Sequence, residues 1–334
     1  GDAALRRILG ERQRTHCEPA PVLTEPGMRA TPCTAGIRRA GPAVPWGDSN
    51  KGGVPPEQLN TRQSPRWPMR GREAPEMTAI RTEREIDLLR KANQIVAAVH
   101  AALARMVRPG ITTRELDAAA EEIIRLHGAT PAFKGYMGYP AATCISVDEV
   151  VVHGIPGERM VEAGQIVSID VGTCYKGYYG DAAVSIPCGE VDVERRRLLD
   201  VTDLALSRGI RAACTGNHVR DIGLAVERTA RAAGFGVVEQ FVGHGIGTRM
   251  HEKPQIPNFD TGYRGPRLKA GMVVAIEPMV NLGVKEVRVL DDGWTAVTAD
   301  GKPSAHFEHS LVVRDDGGEI LSGTDKYVWG RRED

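Results

Sequence analysis

Two aspartates, Asp170 and Asp181, flank a short turn in the stretch SIDVGTCYKGYYGDAAVS, residues 168–185. Ile166, Ser168 and Asp170 alternate on the way up, and Asp181, Ala183 and Ser185 on the way down, which predicts a β-hairpin around Tyr175 to Gly177. A turn at Tyr175-Lys176 places the carboxylates directly opposite each other, and one at Lys176-Gly177 makes them diagonal neighbours on one face. A three-residue loop sends them to opposite faces. Like charges facing each other destabilise a sheet unless one holds a proton or a cation lies between them. The hairpin therefore calls for a metal ion.

Two further acidic residues sit in strand-like surroundings, Glu277 in VVAIEPMV and Glu308 in HFEHSLVV. A carboxylate in an apolar strand is costly unless paired or metal-bound, and neither strand core contains a basic residue. Structural salt bridges to distant Arg or Lys are the competing explanation. His244 lies between glycines in FVGHGIGTRMHEKPQ, where the backbone can approach a ligand closely, and neutral imidazole is a common metal ligand. His153 in VVHGIP and His251 in RMHEKP end apolar or glycine-rich runs and are candidate proton donors or shuttles, with surface turns as the alternative. Carboxylates and imidazole without thiolate suit Mn, Fe, Co or Zn in the divalent state. Bridging carboxylates would hold two such ions about 3.5–4 Å apart, and the pair would activate a water, so no Ser or Cys nucleophile is required.

Other chemistries lack their signatures. HEKPQ is no zincin helix, because Gln255 stands at the second histidine position and Pro254 breaks a helix. GHGIGT lacks the third glycine of a dinucleotide fingerprint, and neither a Walker loop nor a G-x-S-x-G elbow occurs.

These residues need a scaffold that brings distant segments together, and the sequence suggests one built twice. Thr82 with Glu85, and Thr112 with Glu115, form capping-box patterns ahead of two helices. The first has an apolar face at Ile86, Leu89, Val96, Val99 and Leu103 and stops at Pro109-Gly110, and the second ends at Gly128. Helices over 193–213 and 219–233 repeat the order, with Gly216 and Gly234 spaced like Gly110 and Gly128. VEAGQIVSID (161–170) then aligns with LKAGMVVAIE (268–277), so Asp170 corresponds to Glu277. A pseudo-two-fold repeat implies two helix-helix-strands halves around one core, an α+β domain with helices over one side of mostly antiparallel strands.

That domain is expected over residues 77–334. The first 76 residues hold 11 of the 21 prolines and 11 arginines without apolar periodicity, and are expected to form a disordered extension. The chain of 334 residues has 43 basic and 43 acidic side chains, a balance that gives no electrostatic reason to bind nucleic acid. No apolar run reaches membrane-spanning length and no secretory signal is seen, so no membrane partner and a cytoplasmic location are expected. The six cysteines contain no C-x-x-C pair, which fits reduced thiols.

With these residues assembled, the chain resembles type I methionine aminopeptidases of the pita-bread fold from Ile80 to about Leu321. The similarity is carried by GYPAATCISVDEVVVHGIP, VSIDVG with GYYGDAA, GHGIGTRMHEKPQIPN, IEPMVN and FEHSLVV. The resemblance implies removal of N-terminal methionine from nascent polypeptides ahead of a small second residue, using two divalent ions. It implies that Asp181 and Glu308 bridge both ions, that His244 and Glu277 complete one shell, and that Asp170 chelates the other. Glu277 would also relay the water's proton, His251 would stabilise the oxyanion, and His153 would lie near the scissile nitrogen. Tyr136, Tyr139, Cys144 and Trp294 match the family's methionine pocket, where sulfur-aromatic contact suits a thioether. Met250, where relatives usually place Phe, and His306, where they often have Gln, depart from the pattern. Nascent N-termini are the expected partner, the ribosome a further candidate, and a monomer the expected state.

Overall fold

The structure is a computed structural model that describes residues 78–323. The expected N-terminal extension, residues 1–76, lies outside the described residues. Among the described residues there are four α-helices, α1 (Glu83–Met106), α2 (Thr113–Leu126), α3 (Val193–Ala212) and α4 (Val219–Ala232). The sequence places all four to within a residue or two. Both capping boxes form: the Thr82 and Thr112 hydroxyls accept from the N–H of Glu85 and Glu115, whose carboxylates return the bond to the cap backbone. Two N–H groups that no helical carbonyl can reach are thereby satisfied at each helix start.

The strands of the first half are β1 (Thr130–Pro131), β2 (Thr143–Val147), β3 (Val150–Val152), β4 (Ile166–Tyr175) and β5 (Tyr178–Pro187). The second half supplies β6 (Gly236–Val237), β7 (Gly243–Gly245), β8 (Glu252–Ile256), β9 (Val273–Ile276) and β10 (Met279–Asn281). Then follow β11 (Val287–Val289), β12 (Ala296–Thr298), β13 (Ser304–His306), β14 (Glu308–Val313) and β15 (Gly318–Ile320). The main sheet runs β1-β4-β5-β14-β9-β7-β8, with β2 paired to β4 and β15 to β14. Two three-stranded sheets, β13-β10-β6 and β11-β12-β3, flank it, and every pairing between these strands is antiparallel.

The duplication is written into the backbone. Gly110 and Gly216 take φ of 85° and 95°, Gly128 and Gly234 take 73° and 82°, and Gly164 and Gly271 take 86° and 82°. Gly110 N–H donates to Val161 O as Gly216 N–H donates to Leu268 O, and Ala129 N–H reaches Ile124 O as Phe235 N–H reaches Ala230 O. Each half also fills its own core. Val96, Leu103, Leu116, Ile123, Val167 and Ile169 cluster in the first, and Leu198, Leu206, Ile222, Val274, Ile276 and Leu311 in the second. Burying each such side chain contributes roughly 1.5–3 kcal/mol, so each half stabilises the strands that carry its acidic residues.

Candidate metal centre

Helix α1 lies against β4 and β5 and fixes the hairpin between them. The Thr173 hydroxyl donates to Ala92 O at 2.9 Å, and a Cβ on Gly180 would come within 2.6 Å of Asn93 N, so only glycine allows this approach. The hairpin turn is Lys176-Gly177, with Tyr175 paired to Tyr178 and positive φ at both turn residues, 49° and 81°. This is a type I′ turn, which matches the twist of the strands. Asp170 consequently faces Ala183, and Asp181 faces Gly172, so the two carboxylates are diagonal neighbours on one face.

The same face collects the rest. Ala183 pairs on its other side with Glu308, which puts Asp170, Ala183 and Glu308 in one row across β4, β5 and β14. On β14, Ser310 shares the face of Glu308 and pairs with Ala275, which pairs in turn with His244. Glu277 lies two residues beyond Ala275, at the end of β9. Period-two alternation thus brings Asp170, Asp181, His244 and Glu308 to one face of the sheet, with Glu277 just past the end of β9 beside His244. One ligand atom each from Asp181, His244 and Glu308 lie within 4.8 Å of one another. His244 Nε2 is 3.6 Å from Asp181 Oδ2 and 3.6 Å from Glu277 Oε1, and His306 Nε2 is 3.9 Å from Glu277 Oε2.

Side chains that sequence reading did not single out hold the acidic residues by their backbones. Asn93 Oδ1 accepts the Asp181 N–H at 3.2 Å, and the Ser310 hydroxyl donates to Asp181 O at 2.7 Å. Asn258 donates to Glu277 O at 3.0 Å. The only signal for Asn93 was its polarity at an apolar position of α1, where it is fully buried and caps its turn by donating to Leu89 O.

The electrostatics are those of a cation site. Burial raises all four acids, and the charge of neighbouring carboxylates adds to it at Asp181, Glu277 and Glu308. Asp170 is pushed up to about 7 by burial, against the lowering effect of hydrogen bonds from the Asp181 carboxyl and the Val171 N–H. Burial, then the charges of Glu308 and Asp170, pushes Asp181 well above the usual range. Glu277 is raised by burial and by Asp181 and Asp170, and Glu308 by burial and by Glu277 and Asp170. Burial lowers His244 to about 3, with help from the neighbouring His251, and keeps its imidazole neutral. The acidic oxygens Asp170 Oδ1, Asp181 Oδ1 and Glu308 Oε1 are buried without a hydrogen-bond partner. A bare buried acceptor costs about 1–3 kcal/mol, and a divalent ion relieves several at once. The residues present therefore fit a hard or borderline cation.

The expected catalytic and pocket residues surround this cluster. The His251 ring lies 4.3 Å from that of His244, and its Nδ1 is 2.8 Å from the Tyr136 hydroxyl. His251 is open to solvent on one side, and loss of water on the cleft side lowers its pKa. His153 is no surface-turn residue: its ring packs edge-on to Phe241 at 5.2 Å and Trp294 at 6.2 Å, and burial brings it to about 4. Its φ of 59° is a left-handed conformation that costs a β-carbon residue about 1–2 kcal/mol, as at other functional positions. Tyr139, Ala141 and Cys144 form a buried cluster against Phe133, Ile155 and Trp294, with Tyr139 and Trp294 edge-to-face at 5.1 Å. The Tyr139 hydroxyl lies 3.0 Å from both Thr143 O and Gly154 O, so its donor serves the backbone. Met250 is 2% exposed, and His306 is buried with no hydrogen bond to Nε2.

Comparison with known proteins agrees with this geometry. The profile of metallopeptidase family M24 matches residues 87–315. A methionine aminopeptidase of Clostridium perfringens is 50% identical over 246 residues, 74% of this chain and 99% of that protein. Methionine aminopeptidase 1 of Bacillus subtilis is 45% identical over the same shares. The crystal structure of methionine aminopeptidase from Thermotoga maritima superposes with a TM-score of 0.73 at 42% identity, covering 74% of this chain and all of that one. The prolidase of Pyrococcus furiosus shares the fold at a TM-score of 0.61, with 24% identity over 75% of this chain and 66% of its own. The duplicated halves, the antiparallel sheet with its acidic face and these likenesses are those of the pita-bread fold, and the chain belongs to metallopeptidase family M24.

Proposed function

We propose that this chain removes the initiator methionine from nascent proteins and peptides in the cytoplasm, preferentially when the second residue is small. The observation that carries the reading is the cluster of Asp181, His244 and Glu308, with Glu277 3.6 Å from His244 and three buried acidic oxygens, on Asp170, Asp181 and Glu308, that have no hydrogen-bond partner.

In this reading Asp170, Asp181, His244, Glu277 and Glu308 would hold two divalent ions, with Asp181 and Glu308 shared between them. Mn, Fe, Co and Zn all suit such donors. Bound there, the ions supply the Lewis acidity that makes a water nucleophilic at neutral pH. Glu277, whose carboxyl burial and the charges of Asp181 and Asp170 raise above its ordinary value, accepts the water's proton and returns it to the leaving nitrogen. His251 donates a hydrogen bond to the tetrahedral oxyanion, and His153 stands by the scissile nitrogen. The methionine side chain enters the slot of Tyr139, Cys144 and Trp294, with Tyr136 at its mouth. The substrate's free amine is directed to the Asp170 end of the cluster, which restricts cleavage to the first residue. The enzyme acts as a monomer on N-termini emerging at the ribosome.

The test is hydrolysis of Met-Ala-Ser beside Met-Lys-Ser and an Xaa-Pro peptide. The expected result is loss of methionine from the first only, abolished by a chelator and restored by Mn or Co. Undiminished turnover after exhaustive metal removal would falsify the mechanism, and efficient cleavage of Xaa-Pro without methionine preference would replace the substrate assignment. Binding of peptides without turnover under any metal would mark a non-catalytic module of the same fold.

A further inference from the structure

Tyr136 stands apart from the other aromatic residues of the slot. Tyr139 is buried and Trp294 partly buried, whereas Tyr136 is 37% exposed and sits on a loop folded back on itself. Gly135 N–H donates to Tyr139 O at 2.8 Å, Tyr136 N–H to Phe133 O at 2.9 Å, and Tyr139 N–H to Tyr136 O at 2.9 Å. Positive φ recurs at Gly135 (85°), Met137 (47°) and Gly138 (90°). Met137 is not glycine, and holding it in the left-handed region costs about 1–2 kcal/mol, which the loop's own hydrogen bonds offset. The result of that outlay is the position of one side chain: the Tyr136 hydroxyl lies 2.8 Å from Nδ1 of His251, and the two rings are 5.2 Å apart.

His251 is held from its other side as well. The adjacent Glu252 carboxylate accepts the N–H groups of Thr248 and Arg249 at 2.9 and 3.1 Å and pairs with the guanidinium of Arg81. The loop before β8 is thus pinned at Glu252, and Tyr136 closes on the imidazole from the first half of the molecule.

An imidazole nitrogen that accepts a hydrogen bond carries no proton, so in the neutral ring the proton must sit on the other nitrogen. A phenol is the better donor and imidazole the better acceptor of this pair, which sets the direction of the bond. We propose that Tyr136 is a positioning residue for His251: its hydroxyl donates to Nδ1, fixes the Nε2–H tautomer, and leaves Nε2–H as the donor to the oxyanion. Sequence resemblance makes Tyr136 a wall of the methionine slot. The geometry gives it a second task, performed through His251. The kinetic part of this inference rests on the proposed function, and the spectroscopic part does not.

The experiment compares the full chain, Tyr136→Phe, His251→Ala and the double variant at a pH where imidazole is neutral. Long-range nitrogen-proton spectra of histidine-labelled protein read the tautomer, with His251→Ala identifying the signal. In the wild type Nδ1 is expected to be unprotonated, and Tyr136→Phe should move population to the Nδ1–H form. With Met-Ala-Ser, Tyr136→Phe should lower kcat about 10- to 100-fold, the range for losing a partner that orients a functional histidine. KM should stay within about two-fold, and the substitution should cost nothing further in the His251→Ala background. Protonated Nδ1 in the wild type, a spectrum unchanged by Tyr136→Phe, a raised KM at unchanged kcat, or independent additive losses would each overturn the assignment. If the wild type fails to cleave the peptide, the proposed function fails, and the spectra alone decide the role of Tyr136.

Discussion

The two halves of the molecule share a frame and differ in what they hang on it. Both run helix, helix, strand, with matching left-handed glycines and matching hydrogen bonds, and both carry an acid at the matched position, Asp170 within β4 and Glu277 just past the end of β9. Beyond that point they diverge. The first half continues into a ten-residue partner strand, β5, that brings Asp181 back beside Asp170. In the second half β9 is only four residues long, and its neighbours β7 and β14 supply His244 and Glu308. A duplicated scaffold sets where acidic residues can meet near its pseudo-axis. The unmatched additions then decide how many donors arrive and of what type.

The sharpest way to break this comparison is to take one donor from each half. Asp181→Ala and Glu308→Ala should each lower kcat/KM for a methionyl peptide by about 10³-fold or more and reduce the number of bound ions seen by calorimetry. Full activity in either variant would mean that one half suffices.

A smaller effect tests the charge balance between them. In metal-free protein the four acids have folded pKa values above their unfolded ones, with Asp170 at about 7. Such groups bind more protons folded than unfolded, so stability is full below the unfolded values near 4 and falls as pH rises through the folded ones. Urea unfolding of chelated protein should therefore show stability falling as pH rises from about 4 through about 7, the loss being recovered by a divalent ion. A flat profile would show that the acids are not held against one another.

The finest test uses the frame itself. Gly128 and Gly234 share positive φ and have nothing near a would-be Cβ, so Gly128→Ala and Gly234→Ala should cost about 1 kcal/mol each and equally. Gly180→Ala should cost more, about 1–3 kcal/mol, because its Cβ would strike the backbone of Ala92 and Asn93. Unequal costs for the first pair would weaken the equivalence of the halves.

Much of this was legible locally. Capping boxes, glycine spacing and the strand repeat are short-range signals, and they fixed the four helices and the correspondence of Asp170 with Glu277. The hairpin register was not, because Tyr-Lys-Gly lacks the Asn-Gly signature that singles out a turn. Packing of α1 on β4 and β5 and the left-handed conformation open to Lys176 go with the Lys176-Gly177 turn. Asn93, Ser310 and Asn258 act across 88, 129 and 19 residues of chain. Nothing in their immediate neighbours announces such pairings, which depend on which strands come to lie side by side. The bond from Tyr136 to His251 spans 115 residues and was invisible for the same reason.

The place of β14 has a consequence for how the protein comes into being. Although among the last strands in sequence, it lies in the middle of the main sheet, between β5 and β9. During synthesis the two halves would each present an open strand edge until residues 308–313 leave the ribosome and zip them together. Because Glu308 rides on that strand, the proposed metal site would be completed in the same event that seals the sheet. A prematurely terminated chain would be inert as well as unstable, with no interval in which a half-made hydrolase is at large.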